Sequence, residues 1–529
     1  MEKKFSIYMK RFFSGTLLSR MSGLGRDLSM AFAFGDHPSV AAFMVAFRLS
    51  NLFRRLLGEG PLQSAFIPHF EGLRSQDSQQ ATFFFRKLIT LITLLILFIT
   101  FCSECGLAAL LFFGNLSESN TEIVYLTALL FPGLLFICLY GLNISLLNCY
   151  DSFFIPSFAP FLCNFIWIAA TLILRYEDPS LAMSSLAKWV VVGFFAQWFL
   201  TLPLTLKHAK ASLKDWLTVE ISPEIIKLIK TFSFGVIGVG AMQINSLADA
   251  FFGRYADIRG PTYLWYSIRL EQLAFAVFGI ACVMTITPSL SRAIKSCNQE
   301  AAQDLFSLSC KRIMTIMIPC SFAIASLGLS AVNLVYGRGS FSEEAVLRTN
   351  NCLLAYGLGL IPSTFILLFS AIYYAQDNFR APTLISILAV IANLILNYVF
   401  VFVLNFGVVS TALSTSLSAW LNFFILFILT ANKGWQTQYS LERISNMILC
   451  SSAGALCAML TAYFAFDMSV MDWYRGNPLQ LPKDIFAQLI NFSALFLSFC
   501  GGLFGASMIF KNEDILELVR KNRNVLVRD

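Results

Sequence analysis

Apolar runs of about 20 residues alternate with short polar breaks along the whole chain, and this pattern constrains the fold more than any other feature. A helix that crosses the hydrocarbon core of a bilayer needs about 20 apolar residues, and only a helix or a closed barrel satisfies its backbone there. Only 13% of the 529 residues are charged, against about 25% in soluble domains. Fourteen spans are predicted, at 12–34, 39–57, 88–113, 123–147, 155–174, 186–206, 225–252, 263–286, 313–336, 353–374, 384–404, 408–430, 444–466 and 485–510. The pattern predicts an all-α polytopic membrane protein.

Positive charge is concentrated in one set of breaks. Lys and Arg total 38 against 31 Asp and Glu, a formal net charge of +7. The two termini and the breaks after the sixth, eighth and twelfth runs are rich in Lys and Arg, whereas the break 114–121 has neither. Because cytoplasmic loops collect Lys and Arg, both termini are predicted to be cytoplasmic. The surplus charge therefore reflects topology and does not indicate nucleic-acid binding.

Three pairs of short segments indicate an internal repeat. They recur at offsets of 221, 220 and 226 residues, which correspond to six runs. The pairs are Arg48-Leu-Ser-Asn-Leu52 with Arg269-Leu-Glu-Gln-Leu273, Pro68 with Pro288, and Asp151-Ser-Phe-Phe-Ile-Pro156 with Asp377-Asn-Phe-Arg-Ala-Pro382. Six is an even number, so both copies keep the same orientation in the membrane, an arrangement known in transporters.

The repeat predicts three parts in the chain. An N-lobe at 1–215 holds runs one to six, and a C-lobe at 216–432 holds runs seven to twelve. The two six-helix lobes are predicted to be related by a parallel pseudo-two-fold axis along the membrane normal. The helix pair at 433–529, with its cytoplasmic tail, lies outside the repeat.

Charged residues inside the apolar runs are the candidate functional residues. An arginine at the bilayer centre costs about 2.5–3.5 kcal/mol on insertion scales, so such residues indicate function. They are Arg20, Arg26 and Asp27 in the first run, Arg48, Arg54 and Arg55 in the second with Glu59 after it, Asp249 in the seventh, and Arg269 and Glu271 in the eighth.

Two interpretations of these charges are open. In the first, Arg20–Asp27 and Arg54–Glu59 are internal ion pairs, and Arg54 and Arg55 lie at the cytoplasmic interface. In the second, the arginines line a cationic cavity between the lobes. Guanidinium groups bind phosphate oxygens with two parallel hydrogen bonds. Such a cavity would therefore select a polyanion such as a diphosphate.

Other motifs give little support to different chemistry. No nucleophile–base set and no ATP-binding motif is apparent, so an enzyme is not predicted. The three histidines are far apart and the 13 cysteines are scattered, so no metal site is predicted. Gly501 and Gly505 form a G-x-x-x-G pattern in the last run, which is typical of helix packing.

The chain resembles the MurJ (MviN) lipid II flippases. The motifs that carry the resemblance are spread over both predicted lobes, and the first two are the most specific. They are Ser19-Arg-Met-Ser-Gly-Leu-Gly-Arg-Asp27, Ala46-Phe-Arg-Leu-Ser-Asn-Leu-Phe-Arg-Arg55, Gly58-Glu-Gly60, Ser64-Ala-Phe-Ile-Pro68, Asn148 through Pro160, Tyr266 to Leu270, Pro288-Ser-Leu290, Arg338-Gly-Ser-Phe341 and Tyr373-Tyr-Ala-Gln-Asp377. The resemblance implies a two-lobe fold of the multidrug/oligosaccharidyl-lipid/polysaccharide exporter superfamily.

The resemblance also implies a function and residue roles. The function is translocation of lipid II, the undecaprenyl-diphosphate-linked peptidoglycan precursor, from the inner to the outer leaflet by alternating access. The implied substrate-binding residues are Arg20, Arg26, Arg54 and Arg269. Asp27, Arg55 and Glu59 are assigned to ion pairs or to the gate region. The last two helices would hold the lipid tail.

Some positions depart from the family pattern. Ala41 replaces a usual aspartate, and Ser50 replaces a usual proline. Some members bind sodium where this chain has Asp249, Asn393 and Asn397, but the third position is usually an aspartate. One anionic ligand fewer should weaken a sodium site.

No cofactor is expected, and sodium or the membrane potential is the expected energy source. Two other functions stay open from the sequence: a cation-coupled multidrug exporter of the same superfamily, and a non-transporting scaffold for cell-wall enzymes. The expected partners are lipid II, the bilayer and the peptidoglycan synthesis machinery, and the chain is expected to act as a monomer.

Overall fold

The computed structural model describes residues 2–58, 61–209, 222–435, 440–466 and 481–517. In these ranges all regular structure is helical, which confirms the all-α prediction. The helices are α1 (Glu2–Phe34), α2 (Pro38–Phe53), α3 (Pro61–Gln76), α4 (Ser78–Phe113), α5 (Glu118–Leu130), α6 (Gly133–Cys149), α7 (Phe154–Leu174), α8 (Pro179–Ala209), α9 (Pro223–Ala256), α10 (Gly260–Ala274), α11 (Ala281–Lys295), α12 (Gln299–Tyr336), α13 (Glu343–Gly357), α14 (Leu360–Ala375), α15 (Arg380–Tyr398), α16 (Val409–Asn432), α17 (Leu441–Phe466) and α18 (Ile485–Ile509).

Ten helical stretches in the described ranges are long and apolar enough to cross a membrane. The number is eleven if α5 and α6, which bend by 45° at a short break, form one span. The chain is therefore a multi-pass membrane protein. The other predicted spans fall on α1, α2 and α9, which carry the intramembrane charges of the first, second and seventh runs. The count of fourteen stays a prediction.

The chain forms two compact units, residues 1–251 and 252–529. In the first unit, α1 packs on α7 and α7 packs on α8. Phe66 and Phe70 of α3 and Phe85 of α4 are fully buried in its core. In the second, α12 packs against α13 and α17, and α17 packs along α18. The predicted three-part division and the two-fold axis remain predictions.

The two members of the sequence repeat adopt the same local structure. One π-helical turn, Arg54–Gly58, follows α2, and another, Phe275–Ile280, follows α10. They begin 221 residues apart, which is the offset of the first sequence match. Asp151 and Asp377 both have a φ of 55°. The residue after each donates its backbone N–H to the carbonyl five residues earlier, at 3.0 and 2.9 Å. Each aspartate therefore ends one helix before the next begins.

The G-x-x-x-G prediction for the last span is wrong. A Cβ atom added at Gly501 or Gly505 would meet no other atom within 4 Å. At Gly502 it would lie 2.7 Å from Cys457 Sγ, and at Gly454 it would lie 2.9 Å from the Phe499 carbonyl oxygen. The α17–α18 contact therefore depends on Gly454 and Gly502. Spacing alone does not indicate which face of an apolar helix meets a partner.

A larger side chain at Gly502 should separate α17 from α18. We expect Gly502→Leu to destabilise the protein by about 1–3 kcal/mol, the usual effect of overpacking. Gly501→Leu is the matched control, because that position is open, and it should leave stability unchanged. Thermal unfolding of the purified protein in detergent measures both. Equal unfolding midpoints for the two variants would contradict this packing.

Candidate functional site

In the first unit, Arg26 and Asp27 form an ion pair on α1. Arg26 Nη2 lies 2.8 Å from Asp27 Oδ1, and Arg26 Nε donates to the same oxygen at 3.1 Å. The Asp27 side chain is 5% exposed and that of Arg26 is 13% exposed. Asp27 therefore pairs with its chain neighbour. The Arg20–Asp27 pair, which is part of the first interpretation, is not among the ion pairs of the described residues.

Two residues of α7 complete the surroundings of Arg26. Its guanidinium carbon lies 4.7 Å from the centre of the Trp167 ring, a cation–π contact. Arg26 Nη1 donates to Asn164 Oδ1 at 3.4 Å, and Asn164 Nδ2 donates to Ser22 Oγ at 3.0 Å. Asn164 and Trp167 were not among the residues predicted from the sequence. The available signal was an amide and an indole three positions apart in an otherwise apolar run.

The other predicted residues of the first unit lie on α1, on α2 or after it. Arg20 is exposed on α1, and in the described ranges it makes no ion pair. Arg54 is half-buried and Arg55 is exposed, both in the π-helical turn. Glu59 lies outside the described residues, so neither its pairing with Arg54 nor its gate role can be located.

Arg48 is a further half-buried arginine of this unit. Its Nη1 donates to the carbonyl oxygen of Ser246 on α9 at 3.0 Å. It precedes the first π-helical turn by six residues, as Arg269 precedes the second.

In the second unit, Arg269 is half-buried on α10. Its guanidinium carbon lies 4.6 Å from the centre of the Trp265 ring, one helical turn earlier. Glu271 is half-buried two positions later, and the π-helical turn follows at Phe275. Such turns are frequent at functional sites because they disturb the regular ladder of helix hydrogen bonds. Both units thus hold an arginine against a tryptophan face, between α1 and α7 in the first unit and within α10 in the second.

The predicted ion-coupling residues of the second unit, Asn393 and Asn397, form hydrogen bonds with each other and with α16. Asn393 and Asn397 are fully buried. Asn397 Nδ2 donates to Asn393 Oδ1 at 2.7 Å, and Asn393 Nδ2 donates to Thr415 Oγ1 at 3.3 Å. The Asn397 amide therefore occupies Asn393 Oδ1, an oxygen that a bound cation would need. An aspartate at position 397 has no N–H group and could not form this hydrogen bond. The sodium-coupling role of these residues stays a prediction. Asp249, in the other unit, is buried on α9.

This hydrogen-bonding pattern predicts a stability that does not depend on sodium. A site occupied at 100 times its Kd adds about 2.7 kcal/mol. We expect the same unfolding midpoint in sodium and potassium chloride for the wild-type chain. Asn397→Asp restores a carboxylate and should introduce a sodium-dependent rise, with Asn397→Ala as its control. A sodium-specific rise in the wild-type chain would contradict the prediction.

The fold and the charges together define a class: multi-pass helical membrane proteins that keep cationic side chains among apolar helices. A family model described as "Lipid II flippase MurJ" matches residues 30–479. The chain belongs to this family. The family function is transport, not an enzyme activity.

Relatives and solved structures agree with the family. The chain is 31% identical over 516 residues to a probable lipid II flippase MurJ of Chlamydia trachomatis, covering 96% of this chain and 94% of the relative. A solved structure described as "Lipid II flippase MurJ, inward closed conformation" matches with a TM-score of 0.74 at 22% identity, covering 96% of this chain and 99% of the other. An inward-facing multidrug resistance MATE family transporter of the MOP superfamily matches with a TM-score of 0.63 at 15% identity, over 78% of this chain and 94% of the other. Identities this low show a shared fold alone, so the multidrug-exporter alternative gains no support from the match.

Proposed function

We propose that the chain is a lipid II flippase of the bacterial cytoplasmic membrane, which moves its substrate from the inner to the outer leaflet by alternating access. The observation that carries the proposal is the pair of arginines, Arg26 and Arg269, each held against a tryptophan face within the helices of its own unit. Family membership supplies the substrate class. A diphosphate is the part of lipid II that guanidinium groups recognise.

The proposed residue roles follow from chemistry. Arg20, Arg26, Arg54 and Arg269 bind the diphosphate. Arg26 is pre-positioned by Asp27, Asn164 and Trp167, which reduces the entropy lost on binding. Arg20, being exposed and outside any ion pair in the described ranges, is available to the phosphate. Arg55 and Glu59 are proposed to act in the gate.

We propose fourteen spans with both termini in the cytoplasm. The eleven apolar spans together with α1, α2 and α9 give that number. In this topology the last helix pair lies outside the repeat and holds the lipid tail. The membrane potential is the proposed energy source, worth about 2.3 kcal/mol per charge per 100 mV. A monomer that delivers lipid II to the peptidoglycan synthesis machinery is proposed as the working form.

Depletion of the endogenous flippase in a bacterial host tests the function. Expression of this chain should restore growth and prevent lipid II from accumulating in the inner leaflet. A non-transporting scaffold for cell-wall enzymes would neither restore growth nor prevent this accumulation. Continued accumulation, with the chain present in the membrane, would contradict the proposal.

A further inference from the structure

A small cavity lies at the turn between α12 and α13. Its volume is about 240 Å³. Drug-sized ligands need about 300–1,000 Å³, so this cavity suits a single chemical group. Its charged lining residues are Arg338, Glu343 and Lys483. Arg338 begins the segment Arg338-Gly-Ser-Phe341, to which the proposed function assigns no role.

Buried amides fix the walls of this cavity. Asn333 on α12 donates to the carbonyl oxygen of Pro482 at 3.0 Å. Gln488 on α18 donates from Nε2 to the carbonyl oxygens of Gly337 and Pro482, both at 3.0 Å. Asn333 and Gln488 are 3% and 1% exposed. Two segments distant in sequence are therefore joined at one place, and the walls of the cavity are held by the protein's own hydrogen bonds.

The backbone of the turn requires glycine. Gly339 has a φ of +66°, a conformation that L side chains rarely adopt. A Cβ atom at Gly337 would lie 2.0 Å from Asn333 Oδ1. The two glycines set the conformation of the turn on either side of Arg338.

The charges of the cavity favour an anion. Arg338 Nη2 donates to the carbonyl oxygen of Val335 at 3.3 Å. Its Nη1 is buried and has no hydrogen-bond partner among the described residues. A guanidinium keeps its charge at any physiological pH, and a buried donor left without an acceptor is costly. Lys483 Nζ lies 3.3 Å from Glu343 Oε1, so these two charges offset each other and the charge of Arg338 remains.

The start of α13 adds to this preference. Ser342 and Glu343, at the first turn of the helix, line the cavity. Ser342 Oγ accepts the backbone N–H of Ala345 at 3.1 Å. The positive end of a helix attracts anions. This contribution supports the arginine and does not by itself make a site.

We propose that this cavity binds one phosphate or carboxylate group through Arg338, with Lys483 at its rim. In the proposed topology the α12–α13 turn lies on the outer side of the membrane. The anion would then come from an outer-leaflet lipid headgroup or from a carboxylate of the translocated substrate. The choice of side rests on the proposed topology, whereas the binding does not.

Anion-dependent thermal unfolding of the full chain tests the proposal. The probes are inorganic phosphate and acetate, compared with chloride at equal ionic strength, in a detergent without phosphate. We expect a saturable rise in the unfolding midpoint of the wild-type chain. Arg338→Gln should weaken the apparent affinity at least about tenfold, and Arg380→Gln, at an exposed arginine of the same unit, should not change it. No anion-specific rise, or an unchanged rise in Arg338→Gln, would overturn the proposal.

A second variant keeps the test decisive if Arg338→Gln does not fold. Lys483 is 82% exposed, so Lys483→Gln should fold and bind phosphate several-fold more weakly. Unchanged binding by that variant would remove Lys483 from the site, contrary to the proposal.

Reconstitution into vesicles of phosphatidylglycerol or of a neutral glycolipid distinguishes the two sources of the anion. If phosphate no longer raises the unfolding midpoint in phosphatidylglycerol vesicles but still does in glycolipid vesicles, the lipid headgroup occupies the cavity. If acetate still raises the midpoint in both kinds of vesicle, the natural ligand is a carboxylate of the substrate. Flippase activity is not read out, so failure here is separate from failure of the proposed function.

Discussion

Arg26→Ala is expected to abolish complementation of a flippase-depleted strain. Arg26 makes two hydrogen bonds to Asp27, one to Asn164 and a cation–π contact with Trp167. Removing one partner of a buried ion pair destabilises a protein by about 3–5 kcal/mol. The variant should therefore also unfold at a lower temperature, and growth rescue has to be measured together with protein level in the membrane.

A double variant separates the two effects of Arg26→Ala. Arg26→Ala combined with Asp27→Ala removes both charges and should regain most of the lost stability. If Arg26 binds the substrate, the double variant stays inactive although it is folded. Arg175→Ala, at an exposed arginine after α7, is the matched control and should complement fully. Restored growth with the double variant would mean that Arg26 serves only to neutralise Asp27.

Arg269→Ala is expected to abolish activity with little loss of stability. Its cation–π contact with Trp265 is worth about 0.5–2 kcal/mol. Loss of a charge-assisted contact to the diphosphate is worth about 2–5 kcal/mol. Since about 1.4 kcal/mol is tenfold in rate, the translocation rate should fall at least about 30-fold. Growth rescue and the unfolding midpoint measure the two effects.

Two variants sharpen the test at Arg269. Arg269→Lys keeps the charge but loses the planar fork that binds two phosphate oxygens, so it should be intermediate in rate. Arg292→Ala, at an exposed arginine of the following helix, should behave as wild type. Full activity of Arg269→Ala at normal protein level would exclude this residue from substrate binding.

The helices could be predicted from sequence because each apolar run matches a helix or two consecutive helices. The helix α3 was not predicted, since its 16 residues mix polar and apolar side chains, are too few for a span and contain Pro68. The repeat was predicted from sequence, and a π-helical turn recurs after α2 and after α10. The face on which Gly502 packs could not be predicted, because it depends on a partner helix.

The candidate site was only partly predictable. Intramembrane arginines are conspicuous against an apolar background, so Arg26 and Arg269 could be selected from sequence. The residues that position them could not, because Asn164 and Trp167 are distant in sequence and ordinary within an apolar run. The amide pair of Asn397 with Asn393 likewise depends on side-chain geometry.

Translocation of labelled lipid II by the purified chain in liposomes tests the central claim most directly. The fraction of lipid II accessible from the opposite leaflet is followed with time, for the wild-type chain, for Arg269→Ala and for Arg292→Ala. We expect rapid translocation by the wild-type chain and by Arg292→Ala, and at least about 30-fold slower translocation by Arg269→Ala. A wild-type rate no higher than that of empty liposomes, or equal rates for all three, would contradict it.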